Sequence, residues 1–225
     1  MEWILLVITM LTFETALAED AWKNILKLIM EQGDEVKDEH DLVIRELLNV
    51  IVTVQDPANS KPPEGYSSVE KFRRYEKQFL DVENHVDGIN YGKRLREHFG
   101  FKLGKNIYSV KVDQVESVLN RLKKCETTRR ATLTVFDPSI DQYQDEIPTM
   151  IMMDFKIRKN RLYTTAVWRS HDIYKTWIPN FFGLKGLSKY LTENLGIKIG
   201  PIIVHSVSAY VYKSNFNDVE KIINE

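Results

Sequence analysis

The chain has 225 residues and a mass of 26.3 kDa, with 43% hydrophobic and 28% charged residues and a net charge of −1. A chain of this size buries roughly 70% of its unfolded surface, so it needs no covalent staples; its apolar content, with only ten Gly and seven Pro, excludes disordered, collagen-like and low-complexity classes. The single cysteine, Cys125, excludes a disulfide framework and cysteine-based zinc fingers, and the balanced charge argues against a basic nucleic-acid surface.

Trp3 to Phe13 is an apolar run, and Ala16-Leu17-Ala18 resembles the small-residue cleavage site of a secretory leader. Against a leader, the segment before the run holds Glu2 and no Lys or Arg. The run is also shorter than the roughly 20 residues that span a bilayer. It is read as a buried strand, Ile4 to Met10, with a helix starting near Thr12 to Glu14. Ala18, Trp22, Ile25, Leu26, Ile29 and Met30 recur at three- and four-residue spacing, and Gly33 is a stop. This reading predicts a cytoplasmic protein; secretion is the alternative if residues 1–18 are a leader.

Leu47 to Val54 reads as a buried strand ended by Asp56-Pro57, and Asn59 to Gly65 as a loop. A helix is expected from Ser67 to Leu80, capped by Ser67 or Ser68. Another is expected from Val112 to Lys123, with Val112, Val115, Val118, Leu119 and Leu122 on one face. Ala131 to Phe136, Met150 to Ile157 and Leu162 to Trp168 read as strands, the last two joined as a hairpin across Arg158 to Arg161. A helix from Asn180 to Asn194 ends at Gly196, and a long strand fills Ile202 to Tyr212. No segment resembles an interdomain linker, so one α+β domain over residues 1–225 is expected.

Three constellations suit an anion and a planar ligand. Arg129-Arg130 enters a strand, Arg169-Ser170 leaves another, and Arg94 and Arg96 lie in YGKRLR. Guanidinium forks bind phosphate oxygens bidentately, although paired arginines also serve as solvated surface. Asn180, just after Pro179, offers both a donor and an acceptor to a pyrimidine edge, or a helix cap. Tyr210 and Tyr212 share one strand face. The five histidines lack metal-ligand spacing, and no GxxxxGK[ST], GxGxxG or GxSxG element is present.

From Tyr91 to Tyr212 these elements resemble the thymidylate synthase family, most closely its shorter archaeal-type members. YGKRLR is similar to the family's Tyr-Gly-x-x-x-Arg element, and the helix ending in Thr127-Thr128-Arg129-Arg130 resembles its helix ending in Ser-Arg-Arg. Arg169-Ser170-His171-Asp172 with Asn180 resembles its Arg-Ser-x-Asp…Asn signature, and Tyr210-Val211-Tyr212 its His-x-Tyr. The resemblance implies a mixed sheet with flanking helices and one face used for dimerisation. It further implies a homodimer around a pyrimidine mononucleotide such as dUMP. Arg169 and Ser170 would bind the phosphate in cis, and Arg129 and Arg130 in trans. Asn180 would read the pyrimidine, Tyr210 and Tyr212 the sugar, and Asp172 would help place a reduced folate or methanopterin one-carbon donor. No metal, nucleic acid or membrane is implied.

The departures bear on activity. The family's nucleophilic cysteine follows a proline, and here the stretch is Ile147-Pro148-Thr149-Met150. A thiol ionises near pKa 8.5 and a hydroxyl near ~15.7, so forming the alkoxide costs ~10 kcal/mol more. An internal threonine also lacks the terminal amine that activates threonine nucleophiles elsewhere. Thr149 is therefore expected to be an inert wall of the pocket. The family's glycine-flanked arginine loop has no counterpart in the acidic Asp38-Glu39-His40-Asp41 run, and Glu76 is a candidate for the proton-relaying glutamate. Two readings stand: a synthase transferring a one-carbon unit to C5, or an inactive homologue acting as a nucleotide-binding or regulatory dimer.

Overall fold

A computed structural model describes residues 11–64, 66, 69–83, 89–97 and 99–224. In chain order the elements are β1 (Leu11–Thr15), α1 (Ala18–Gln32), β2 (Asp34–Lys37), β3 (Val43–Val54), α2 (Val69–Lys77), α3 (Tyr91–Arg96), β4 (Phe99–Leu103), β5 (Asn106–Val110), α4 (Gln114–Lys124), β6 (Thr132–Thr134), β7 (Met150–Arg158), β8 (Arg161–Trp168), β9 (His171–Asp172), α5 (Trp177–Leu195), β10 (Lys198–Tyr212) and α6 (Phe216–Asn224). Eight strands form one sheet ordered β1-β3-β10-β8-β7-β6, with β2 added to β3 and β9 to β10; β4 and β5 form a separate hairpin. The sheet is mixed: β1 and β8 run parallel to the strands beside them, β3 and β10, while β3–β10 and β7–β8 are antiparallel. This is the α+β architecture expected.

Strand alternation sorts the side chains. Val50, Val52 and Val54, Ala166 and Trp168, Ile202 and Val204, and Met153 and Phe155 are buried beneath the helices. Ile51 and Thr53, Ile203 and His205, Thr165 and Val167, and Met152 alternate onto the opposite face, where each is only half-buried. On the helical side, α1 contributes Trp22, Ile25, Leu26 and Ile29, each at most 2% exposed. Burial of such side chains stabilises by about 1.5–3 kcal/mol each.

Helix α5 is buried on almost every side and packs against α2. Gly183 and Gly186 make that approach possible. A Cβ on Gly183 would lie 2.2 Å from Gln78 Nε2, and one on Gly186 would lie 2.1 Å from the Glu76 carbonyl oxygen. Gly196 ends α5 in the left-handed conformation, φ 68°, as the expected stop requires.

Several expectations are corrected. Thr12 to Glu14 lies in a strand, not a helix: Leu11–Thr15 pairs in parallel with Val50–Val54, and α1 begins only at Ala18. The alternation of Leu11, Phe13 and Thr15 towards the core, together with β3 as a partner for the backbone, decides this. Ile4 to Met10, and the caps Ser67 and Ser68, lie outside the described residues. Cleavage after Ala18 would remove β1, and Ala18 itself is fully buried. Helix α5 starts three residues before Asn180, because Pro179 fits the first helical turn, where its missing N–H costs nothing. β2, β4, β5, α3 and α6 were not anticipated. No helix among the described residues is long and apolar enough to cross a membrane.

Candidate nucleotide site

The carboxyl ends of β8 and β10 open a cleft of about 560 Å³ lined by Thr149, Arg169, Ser170, Ser208, Tyr210 and Tyr212. The turn between β2 and β3 closes one side with Lys37, Asp38, Glu39 and His40, and Glu46, Asp145 and Glu146 complete a strongly acidic lining. Five of the predicted residues, spread from 149 to 212, therefore share one surface. The sheet does this: β10 pairs with β8 along its first half and with β9 at Ala209 and Tyr210, so the two motifs meet at one end of the sheet.

Arg169 is held by the main chain. Its Nε donates to the Pro148 carbonyl and its Nη2 to the Ile147 carbonyl, both at 3.1 Å, and its amide donates to the Thr149 carbonyl at 2.8 Å. Nη1 has no partner among the described residues, so a fixed guanidinium edge remains available to an anion. The same bonds position Thr149, whose Oγ1 lies 3.3 Å from the Tyr91 hydroxyl. Tyr210 and Tyr212 meet edge to face with centroids 5.2 Å apart. Burial, with smaller contributions from Asp172 and Tyr212, pushes the Tyr210 phenol well above its ordinary pKa, so it stays protonated.

Asn180 is 7% exposed and lines neither cleft. Its side chain caps no helix. Nδ2 donates to His171 Nε2 at 3.3 Å, and Oδ1 accepts from Gln78 Nε2 at 3.4 Å. His171 Nδ1 lies 3.0 Å from Ser206 Oγ, and its ring stacks on Trp168 at 4.6 Å. Complete burial lowers the His171 pKa to about 3, so the ring is neutral.

Asp172 lines a second, larger cleft of about 900 Å³ with Trp22, Tyr66, Tyr75 and Tyr174. Trp22 and Tyr66 meet edge to face at 5.1 Å, and Trp22 Nε1 donates to the Ile173 carbonyl at 2.7 Å. Burial raises the Asp172 pKa, opposed by the Lys175 amide, which donates to Oδ1 at 2.9 Å.

Arg129 and Arg130 lie outside both clefts, exposed at the entry to β6, with no side-chain partner among the described residues. Glu76 is exposed on α2 and lines neither cleft; Tyr75, one residue earlier, is buried and lines the larger one. Arg94 and Arg96 are committed elsewhere. Arg94 makes a bidentate pair with buried Asp141 at 2.8 and 2.9 Å, and Arg96 pairs with Asp113 at 2.8 Å. No cluster among the described residues is suited to a metal.

Sequence reasoning assigned no role to Tyr91, His171, Gln78 or Ser206. Gln78 carried a signal: it falls on the apolar stripe of its segment with Phe72 and Tyr75, where a polar group must find a buried partner. The bond from Tyr91 to Thr149 joins positions 58 apart and had none.

The thymidylate synthase family profile matches residues 40–225. The chain is 41% identical over 220 residues to a protein of Methanothermobacter thermautotrophicus named "Putative thymidylate synthase", covering 91% of this chain and 94% of that one. It is 38% identical over 206 residues to a protein of the same name from Methanococcoides burtonii, covering 91% and 90%. A third, from Methanocaldococcus jannaschii, is 26% identical over 223 residues, covering 96% and 97%. On a match this long and identity at this level, the chain belongs to the thymidylate synthase family.

Proposed function

We propose that the protein is a homodimer that binds a pyrimidine deoxynucleotide, dUMP or a close relative, in the Arg169 cleft. The observation that carries this reading is the convergence of Arg169, Ser170, Tyr210 and Tyr212 on one cleft beside Thr149. The fixed guanidinium edge of Arg169 and the Ser170 hydroxyl take the phosphate, and Tyr210 and Tyr212 the sugar. Asn180 does not line the cleft but bonds to His171, next to Ser170, and it is assigned the base from its place in the family signature.

Charge explains the need for a second copy. The cleft gathers Asp38, Glu39, Glu46, Asp145 and Glu146 against Lys37 and Arg169, so a phosphate entering it meets net repulsion. Arg129 and Arg130 of a partner, exposed and uncommitted here, supply the compensating charge. The half-buried sheet face carrying Ile51, Val167 and Ile203 supports a dimer interface of the kind that the family uses.

The larger cleft suits a reduced pterin donor, folate or methanopterin, acting in the cytoplasm. Its aromatic walls can flank a planar ring, and the Asp172 carboxylate can accept from the ring's N–H edge. Such a donor carries the one-carbon unit that the family transfers to C5 of the pyrimidine in making dTMP. The protein's own residues hold and orient both molecules. The nucleophilic step lacks its thiol, because position 149 is threonine, whose Oγ1 lies 3.3 Å from the Tyr91 hydroxyl. The missing thiol favours the second reading: a family member that binds the nucleotide without turning it over.

Calorimetric titration of the wild-type protein with dUMP tests binding. Heat at micromolar to millimolar ligand that disappears in Arg169→Ala is the expected result; no heat in the wild type defeats the proposal.

A further inference from the structure

The geometry points to His171 as the residue that fixes the orientation of the Asn180 amide, and so decides which pyrimidine edge the pocket accepts. This rests on the reading of Asn180 as the group that meets the base. Four side chains form a buried line: Ser206 Oγ, the two ring nitrogens of His171, the Asn180 amide and the Gln78 amide, at 3.0, 3.3 and 3.4 Å. An amide nitrogen only donates, so His171 Nε2 must accept and the ring proton must reside on Nδ1, pointing at Ser206. The Asn180 oxygen then faces Gln78 Nε2, which only donates. Each bond in the line pairs a donor with an acceptor, although the buried Gln78 Oε1 has no partner among the described residues, and Asn180 keeps one N–H and one lone pair uncommitted.

Uracil presents an acceptor at O4 and a donor at N3, and cytosine the reverse. An Asn180 amide that satisfies one must turn by 180° to satisfy the other. The turn sets Oδ1 against the accepting Nε2 of His171, and Nδ2 against the donating nitrogen of Gln78. Both mismatches are buried: His171 is 2% exposed and Gln78 1% exposed. Relief requires moving the ring proton to Nε2 and turning Gln78 as well. A protonated ring would likewise present a donor to Asn180, and burial prevents that by keeping His171 neutral down to a pKa of about 3. His171 is thus a positioning residue, acting on the base through Asn180, and the Ser206 hydroxyl accepts its Nδ1 proton.

The test is the ratio of dUMP to dCMP dissociation constants, measured by calorimetry on the full-length protein. Ser206→Ala removes the acceptor for the Nδ1 proton, and His171→Gln substitutes an amide that can turn either way. Each is expected to reduce the discrimination by about tenfold while circular dichroism stays unchanged, and Ser206→Thr, which keeps the hydroxyl, is expected to retain it. A merely structural role weakens both nucleotides by the same factor, and that outcome, or an unchanged ratio, overturns the inference while the nucleotide-binding reading stands. Absence of dUMP binding to the wild type overturns that reading, and this one with it. Nitrogen-15 spectra of the imidazole give a readout without nucleotide: a proton on Nδ1 is expected, and one on Nε2 refutes the assignment.

Discussion

The Thr149 hydroxyl lies 3.3 Å from the phenol oxygen of Tyr91, and the Thr149 carbonyl accepts the Arg169 amide at 2.8 Å. Under the proposed function this is the position that would attack the pyrimidine ring, held by its neighbours but carrying a hydroxyl in place of a thiol. The scaffold and the nucleophile are separable, which makes one substitution informative. Release of tritium from C5-labelled dUMP is expected to be undetectable in the wild type and measurable in Thr149→Cys, because a thiolate is accessible near pH 8.5 and an alkoxide is not. Robust release by the wild type would show that Thr149 is not inert.

The proposed pocket draws on two copies, so inactive partners should complement one another. Arg169→Ala and Arg130→Ala homodimers are each expected to lose dUMP binding. Mixing them under conditions that exchange subunits places both lesions in one site of each heterodimer and leaves the other intact. Recovery of about a quarter of the wild-type sites is the expected stoichiometry for random exchange of equal amounts, since half the dimers are then mixed. No recovery despite demonstrated exchange would refute a shared site.

Asp141 depends on Arg94. The carboxylate is fully buried, accepts the Asp137 amide as well, and is neutralised by the bidentate guanidinium. Arg94→Ala leaves a buried charge without its partner, and about 3–5 kcal/mol of stability should be lost. Urea denaturation measures it. A change within experimental error would mean that Asp141 takes up a proton or reaches water at little cost.

Acid should expose the neutral state of His171. Its folded pKa, about 3, lies below the ordinary 6.5, so between these values the unfolded chain binds a proton that the native protein refuses. Stability is therefore lost as pH falls from 6.5 towards 3, by roughly 1.4 kcal/mol per unit from this group. Buried Asp172, whose pKa is raised, acts in the opposite direction at the lower end of this range. Comparing wild type with His171→Gln across pH 4–7 isolates the histidine: the variant should show the shallower loss, and parallel curves would contradict a neutral buried ring.

The sequence carried the elements whose patterns are local. β7 and β8 were readable because two β-branched and apolar runs flank a short polar turn, and the Arg169-Ser170-His171-Asp172 stretch was readable because its residues are contiguous. Where a pattern admits two structures, the reading failed. Leu11 to Thr15 has no helical or strand identity until Val50 to Val54 lies beside it. Arg94 has the same side chain as Arg169, but a buried carboxylate claims one, while main-chain carbonyls hold the other open towards the cleft.

By itself, then, the amino-acid order settled the α+β class and the family, because these depend on periodicity and on contiguous motifs. Only the tertiary structure decided that Thr149 meets Tyr91, that Asn180 answers to His171 and Gln78, and that Asp172 faces a different cleft from Ser170, two residues before it. Hydrogen bonds and burial join groups that are nine to over a hundred positions apart, and their energies depend on distance in space, which a one-dimensional order of residues does not contain.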